Sequence, residues 1–260
     1  MIKFCSLISG SSGNSTFISS GDTNLLIDCG LSGKNLEKLL SLIDVRPSDI
    51  NAMLITHEHI DHVRGAGVVC RRYNIPVAAT QKTHMAMDIG NISDENRILI
   101  NPYEDFEIGN IGIKAFQIPH DAADPVGYSF FAENQKYTLA TDMGNMSESL
   151  LNEIKGSHSV ILESNHDVEM LRIGPYPYPL KQRILGDFGH LSNEIAAQTA
   201  LALVKTGTQN IMLGHLSENN NTPEIAQLET YNVLTQAGVE VGTDVRLCVA
   251  HRHNITMFKS

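Results

Sequence analysis

Short apolar and β-branched runs separated by Gly, Ser and Asn turns predict strands over 2–8, 16–19 and 24–28. Leu36, Leu39, Leu40 and Ile43 then recur at helical spacing within 33–44, and Pro47 supplies the stop. An apolar run at 52–56 reads as a buried strand. It is followed by a helix over 61–73, a strand over 75–79 and a helix over 82–89. The pattern next turns to strands, at 97–101, 104–118, 126–133 and 136–141. Alternation resumes with a helix at 147–155, a strand at 159–162 and a helix at 192–204 capped by Ser192. A strand at 211–213, a helix opened by Thr222-Pro223-Glu224 and strands at 245–250 and 253–258 complete the chain. This order suits two sheets packed together with helices outside. No repeat or composition shift interrupts it, so one domain over 1–260 is expected. The stretch 165–189, irregular and rich in Pro and Tyr, reads as a lid or insertion.

Composition narrows the function classes. Of 260 residues, 42% are hydrophobic and 18% charged, enough for a packed core and too apolar for wholesale disorder. A formal charge of −10 argues against a protein that holds nucleic acid by a broad basic surface. A local positive site built from metal ions is compatible with it, since two divalent cations would bring −10 to −6. Cys5, Cys29, Cys70 and Cys248 form no paired motif and read as reduced core thiols. No apolar run approaches the ~20 residues that cross a bilayer, and the first eight residues are too short and polar for a secretory segment. A cytoplasmic protein without membrane contact is expected. The chain itself predicts neither an obligate protein partner nor an oligomeric state.

The strongest chemical signal is His57-Glu58-His59-Ile60-Asp61-His62, directly after Met53-Leu54-Ile55. Residues two apart in an extended segment point the same way, so His57 and His59 can grip one ion together. Where the chain then turns into a helix, Asp61 and His62 can face a neighbouring position. Mixed imidazole and carboxylate ligands suit Zn, Mn or Fe. Six residues cannot saturate two ions, so further ligands are expected at other strand ends. His120 follows Phe116 to Pro119, Asp142 follows Tyr137 to Thr141, and His215 follows Ile211 to Gly214, each in the same context as His57. A carboxylate can bridge two cations, and Asp142 is the candidate bridge.

This six-residue motif resembles the signature of the metallo-β-lactamase fold, and the likeness continues along nearly the whole chain. Leu25 to Gly30 resembles the strand and aspartate that precede the signature. The stretch from His120 to Tyr128, Thr141-Asp142-Met143-Gly144 and Gly214-His215-Leu216-Ser217 resemble the later motifs of its phosphodiesterase branch. Ser9 to Ser15, Glu163-Ser164-Asn165-His166-Asp167, the segment Gly174 to Arg183 and Gly189 to Asn193 resemble the YycJ/WalJ exonuclease family within that fold. A more distant likeness is to tRNase Z.

The resemblance implies an α/β fold, an αββα sandwich of two mixed β-sheets flanked by helices. It implies that His57, His59 and His120 bind a first ion, that Asp61, His62 and His215 bind a second, and that Asp142 bridges. Asp28 would hold the histidine loop by hydrogen bonds. The implied activity is phosphodiester hydrolysis on DNA, by analogy a 5′-to-3′ exonuclease that uses a hydroxide shared by two ions, with Zn first and Mn or Fe as alternatives. His190, just before a helix where the relatives carry a His, is the candidate general acid, and Asp61 would also orient the attacking water.

Several residues are candidate substrate contacts. The turn with Ser12, Asn14 and Ser15 offers hydroxyls, an amide and backbone N–H groups to a terminal phosphate. Asn165 and His166 are further contacts. The stiff Pro175 to Pro179 run carries tyrosines that can stack on bases, with Lys181 and Arg183 reaching phosphates. Arg64, Arg71 and Arg72 read as a solvated helix face, and His84, His158, His251 and His253 as structural. Two other readings keep the metal motif: a phosphodiesterase acting on small cyclic or linear substrates, which the acidic charge favours, and a non-catalytic metal-regulated binding module.

Overall fold

The computed structural model of the chain describes residues 2–258, so the outermost residues of the expected domain, Met1, Lys259 and Ser260, lie outside it. The chain divides into two compact units: Met1–Gln117 with Ala122–Asn134 and His251–Ser260, and Ile118–Asp121 with Gln135–Ala250.

The first unit is built on a seven-stranded sheet. Strands β1 (Lys3–Ile8), β2 (Ser15–Ser20) and β3 (Thr23–Ile27) form an antiparallel meander, with β14 (Thr256–Met257) on the outer edge of β1. Strands β4 (Ala52–Leu54), β5 (Val77–Ala79) and β6 (Arg97–Leu99) extend the sheet in parallel from β3, with Ile27 opposite Leu54 and Leu54 opposite Ala78. Helices α1 (Gly33–Ser41), α3 (Ala66–Tyr73) and α4 (Gln81–Ala86) lie in the crossovers. Alternate strand residues Leu7, Phe17, Leu26 and Met53 join Leu36, Leu40 and Val69 of the helices in one buried core, which keeps the strands in register. Strands β7 (Asp105–Ile108), β8 (Ile111–Gln117) and β9 (Val126–Ala132) form an antiparallel meander in the same unit.

The second unit carries four parallel strands: β10 (Gln135–Ala140), β11 (Ser159–Glu163), β12 (Asn210–Gly214) and β13 (Arg246–Val249). Helices α8 (Asn193–Val204) and α9 (Pro223–Gln236) pack on each other and on β11 and β13. The β11 residues are all buried, as a strand covered on both faces requires.

Element boundaries follow local chemistry. Ser32, Ser147, Ser192 and Thr222 each accept a hydrogen bond from the backbone N–H three residues on, as the capping residues of α1, α5 (Glu148–Ile154), α8 and α9. Three expectations are corrected. The helix at 61–73 is two helices, α2 (Ile60–Val63) and α3, because Gly65 N–H donates to the Cys29 carbonyl at 2.8 Å while the Asp61 carbonyl accepts from Asn14 N–H, so the helical bond between them is not made. The strand at 104–118 is a hairpin that turns at Gly109, whose φ of 59° is a glycine conformation. The irregular stretch 165–189 contains two helices, α6 (Val168–Ile173) and α7 (Tyr178–Leu185). All four cysteines are free, and among the described residues no helix is long and apolar enough to cross a membrane.

Candidate metal centre

In the first unit the ligand-type side chains sit beyond the carboxyl ends of the parallel strands β3 and β4, where such sheets commonly present ligands. Asp28 follows β3 in the left-handed region, with φ of 59°, and its carboxylate is buried. It accepts two hydrogen bonds from Thr56, from N–H at 2.9 Å and from the hydroxyl at 2.8 Å. His62 Nδ1 lies 2.8 Å from Asp28 Oδ2. An N–H donated to that carboxylate puts the His62 lone pair on Nε2, the atom a metal would take, with Asn14 Nδ2 now 3.0 Å from it. His57 Nδ1 lies 3.0 Å from the Thr56 hydroxyl, and His57 Nε2 lies 3.1 Å from His59 Nδ1. The rings of His57 and His62 are 4.1 Å apart. The motif therefore brings its imidazoles together, as spacing predicts, and Asp61 Oδ2 stands 3.5 Å from His62 Nε2.

The loop is braced from outside. Tyr128 donates its hydroxyl to the Ile55 carbonyl at 2.8 Å, and Glu58 accepts from Ala123 N–H. Gly30 fits against Asp61 so closely that a Cβ would stand 1.7 Å from its carbonyl oxygen.

In the second unit the parallel strands β10, β11 and β12 end in register, with Ala140 opposite Leu162 and Glu163 opposite Gly214. Their ends deliver Asp142, Glu163 and His215. Asp142 and His215 have φ of 62° and 56°, a conformation costing about 1 kcal/mol or more for a residue with a side chain. Asn165 Nδ2 donates to the His215 carbonyl at 2.8 Å and holds that turn. His215 Nε2 lies 3.3 Å from Asp142 Oδ1, and His120 Nε2 lies 4.0 Å from the same oxygen. His120 Nδ1 points at the Gly189 carbonyl, 3.2 Å away. Burial pushes the His120 imidazole below its ordinary value against the pull of Asp142, which favours the neutral, ligating form.

Glu163 is the residue that sequence reasoning missed as a member of the site. Fully buried, it places Oε1 2.8 Å from His190 Nδ1 and 2.9 Å from His215 Nδ1, while Oε2 accepts from the N–H groups of Met143 and Leu191. Burial raises its pKa, but the charges of His190 and His215 and their hydrogen bonds outweigh that and hold it well below the carboxylate range. Ligand atoms of Asp142, Glu163, His190 and His215 all lie within 4.8 Å of one another. The signal was available: an acid ending the apolar run Ser159 to Leu162 stands in the same context as Asp142 and His215.

The other sequence candidates are placed as follows. Ser12 is exposed, and its carbonyl accepts from Arg64. Asn14 is buried, with Nδ2 3.2 Å from Asp61 Oδ2 and 3.0 Å from His62 Nε2. The Ser15 hydroxyl donates to the Asp28 carbonyl. His166 is buried, with neither ring nitrogen hydrogen-bonded among the described residues, and burial pushes it down to about 4. Arg183 pairs with Asp121. Burial pushes the Cys29 thiol, beside Asp28, up to about 12, so it offers no thiolate at neutral pH.

Buried imidazole and carboxylate atoms, free of thiolate, suit a borderline divalent cation. The metallo-β-lactamase superfamily model matches residues 8–215. The chain is 41% identical over 243 residues to exodeoxyribonuclease YycJ of Bacillus anthracis, covering 93% of this chain and 92% of that one. It is 40% identical to exodeoxyribonuclease WalJ of Streptococcus pneumoniae, over 94% and 93% of the two chains. The solved metallo-β-lactamase-fold protein YhfI of Bacillus subtilis superposes with a TM-score of 0.70 at 14% identity, over 99% of each chain. Two mixed sheets flanked by helices, histidine and aspartate clusters suited to metal, and these likenesses lead to one placement. The chain belongs to the metallo-β-lactamase superfamily, in the branch of the YycJ and WalJ exonucleases, and is a metal-dependent hydrolase.

Proposed function

We propose that this protein is a cytoplasmic exodeoxyribonuclease that degrades DNA from a 5′ end with two divalent metal ions, zinc first and manganese or iron as alternatives. His57, His59 and His120 would hold one ion and Asp61, His62 and His215 the other, with Asp142 as the ligand they would share. The observation that carries the reading is the pair of buried carboxylates, Asp28 and Glu163, which hold Nδ1 of the proposed ligands His62 and His215 so that each Nε2 faces away from its carboxylate. The names of the YycJ and WalJ relatives support DNA as the substrate. Residues 1–260 act as one domain of the superfamily fold, with 165–189 as a lid over the substrate.

When bound, such ions supply an acidified water and neutralise charge that builds on the phosphate. The chain's own residues do the rest. Asp61 orients the attacking water. His190, half-open to solvent and held at Nδ1 by anionic Glu163, presents its other nitrogen to the departing sugar oxygen and gives it a proton. Ser12 in its turn and Arg183 on α7 contact the substrate. Asn14, Ser15 and Asn165, all buried, act from behind by holding ligand loops.

The net charge of −10 favours a second reading, a phosphodiesterase for small cyclic or linear substrates. One assay separates the two: reconstituted protein is offered end-labelled DNA, with and without 5′-phosphate, beside a cyclic nucleotide. Release of nucleotides from the 5′ end, falling steeply as salt is raised, is expected. Turnover of the cyclic nucleotide alone, insensitive to salt, would establish the second reading. In the same assay Asp142→Asn and His59→Ala lose turnover and metal together, and unchanged activity in either variant removes the assignment. Asn suits this test because it tolerates the left-handed φ of Asp142.

A further inference from the structure

We propose that the Asn14 side-chain amide is a displaceable stopper on the second ion's site, so that a cation taken up by Asp61 and His62 must break the hold of Asn14 on its own turn; this rests on the ligand set proposed above. The neighbours of the amide settle its orientation. Gly10 N–H donates to Asn14 Oδ1 at 2.9 Å, and of the two amide atoms only the oxygen accepts. Nδ2 therefore faces the other way, where it lies 3.2 Å from Asp61 Oδ2 and 3.0 Å from His62 Nε2. The tautomer of His62 agrees. Its Nδ1 donates to the buried Asp28 carboxylate 2.8 Å away, so Nε2 carries the lone pair and accepts from Asn14. One buried amide thus directs both its N–H groups at two proposed ligands of the same ion.

The single lone pair on Nε2 serves one partner at a time, so a cation there displaces the Asn14 N–H. The amide cannot answer by turning over, because Nδ2 would then meet Gly10 N–H, donor against donor. The turn itself must give. It is suited to that, with Ser11 and Ser12 exposed and Gly10 at φ of 145°, a conformation open to glycine. The main chain of Asn14 is anchored separately: its N–H donates to the Asp61 carbonyl at 2.8 Å and its carbonyl accepts from Gly30 N–H at 2.9 Å. An alanine at this position keeps both of those bonds and removes only the competitor for the ion. Loading of the second site and the setting of the turn that carries Ser12, a proposed substrate contact, are therefore one linked event, and the hydrogen bonds given up weaken the second ion relative to the first.

The test titrates Zn or Mn into metal-stripped protein, with binding read by calorimetry and the Gly10 amide by hydrogen exchange in NMR spectra. In the native protein two equivalents are expected to bind unequally, and protection of Gly10 N–H is lost with the weaker one. Thr56 N–H, held by Asp28, stays protected throughout. In Asn14→Ala the Gly10 amide exchanges fast before any metal is added, and the weaker step tightens about tenfold while the stronger is unchanged. Two equivalents bound with Gly10 protection unaltered, or a weaker step that Asn14→Ala leaves the same or loosens further, would overturn the stopper and leave the two-ion reading standing. Should that variant not fold, Asn14→Ser takes its place, and the exchange measurement on native protein decides without any variant. No second equivalent in native or variant protein would overturn both.

Discussion

Asp28 and Glu163 perform one task on different histidines. Each is a buried acid at the end of a buried strand, and each turns an imidazole so that Nδ1 faces inward and Nε2 outward. Glu163 also serves His190, so its loss and that of His190 should differ. Replacing His190 with Ala should lower kcat by about 10²-fold or more with metal content unchanged. Glu163→Gln should lower both kcat and metal affinity, by about 10- to 100-fold, because it loosens His215 too. Metal titration beside steady-state kinetics distinguishes these outcomes. His166 makes a separate prediction. Its pKa falls from 6.5 to about 4, so between those values the unfolded chain takes up a proton that the native chain refuses. Stability therefore falls by about 3 kcal/mol as pH drops through that window, and His166→Asn should flatten this slope in urea titrations at pH 7 and pH 4. Glu163, with its lowered pKa, begins to lose its own contribution as pH falls through the ordinary carboxylate value of 4.5 and goes on losing it below that, a lower window.

At the scale of elements, the site is a property of strand ends. Within each unit parallel strands in register end together, and the residues just beyond them, Asp28 in the first unit and Asp142 and His215 in the second, take left-handed φ values that turn the chain sharply. Close approach of loops then needs residues without a Cβ. Gly30→Ala would put a methyl group 1.7 Å from the Asp61 carbonyl and 2.6 Å from Asn14 N, so either loop must move. A destabilisation of about 1–3 kcal/mol, seen as a lowered Tm, with loss of activity is expected. Most strands and capped helices were legible locally, since β-rich runs between Gly turns and Ser or Thr caps are short-range signals. Helices α6 and α7 were not. A helix that buries almost nothing has no apolar stripe to read, and the prolines at 175, 177 and 179 disguise its start.

For the molecule as a whole, a charge of −10 and a dense set of buried donors make the folded state a metal receptor that the unfolded chain is not. Adding Mn or Zn at about 1,000 times its Kd should stabilise the native protein by about 4 kcal/mol and raise Tm, with EDTA reversing the shift and Asp142→Asn reducing it. Absence of a shift in calorimetry would contradict the ligand set.

The chain by itself determined the imidazole cluster at 57–62, because side chains a few positions apart are oriented by local backbone geometry alone. It also determined which polar residues cap apolar strands at His120, Asp142 and His215. Only the tertiary structure decided that Glu163 grips both His190 and His215, residues 27 and 52 positions away, and that Asn14, Ser15 and Asn165 face inward onto Asp61, Asp28 and His215. Those contacts depend on strand register and loop packing, which join distant positions and leave no periodicity in the sequence.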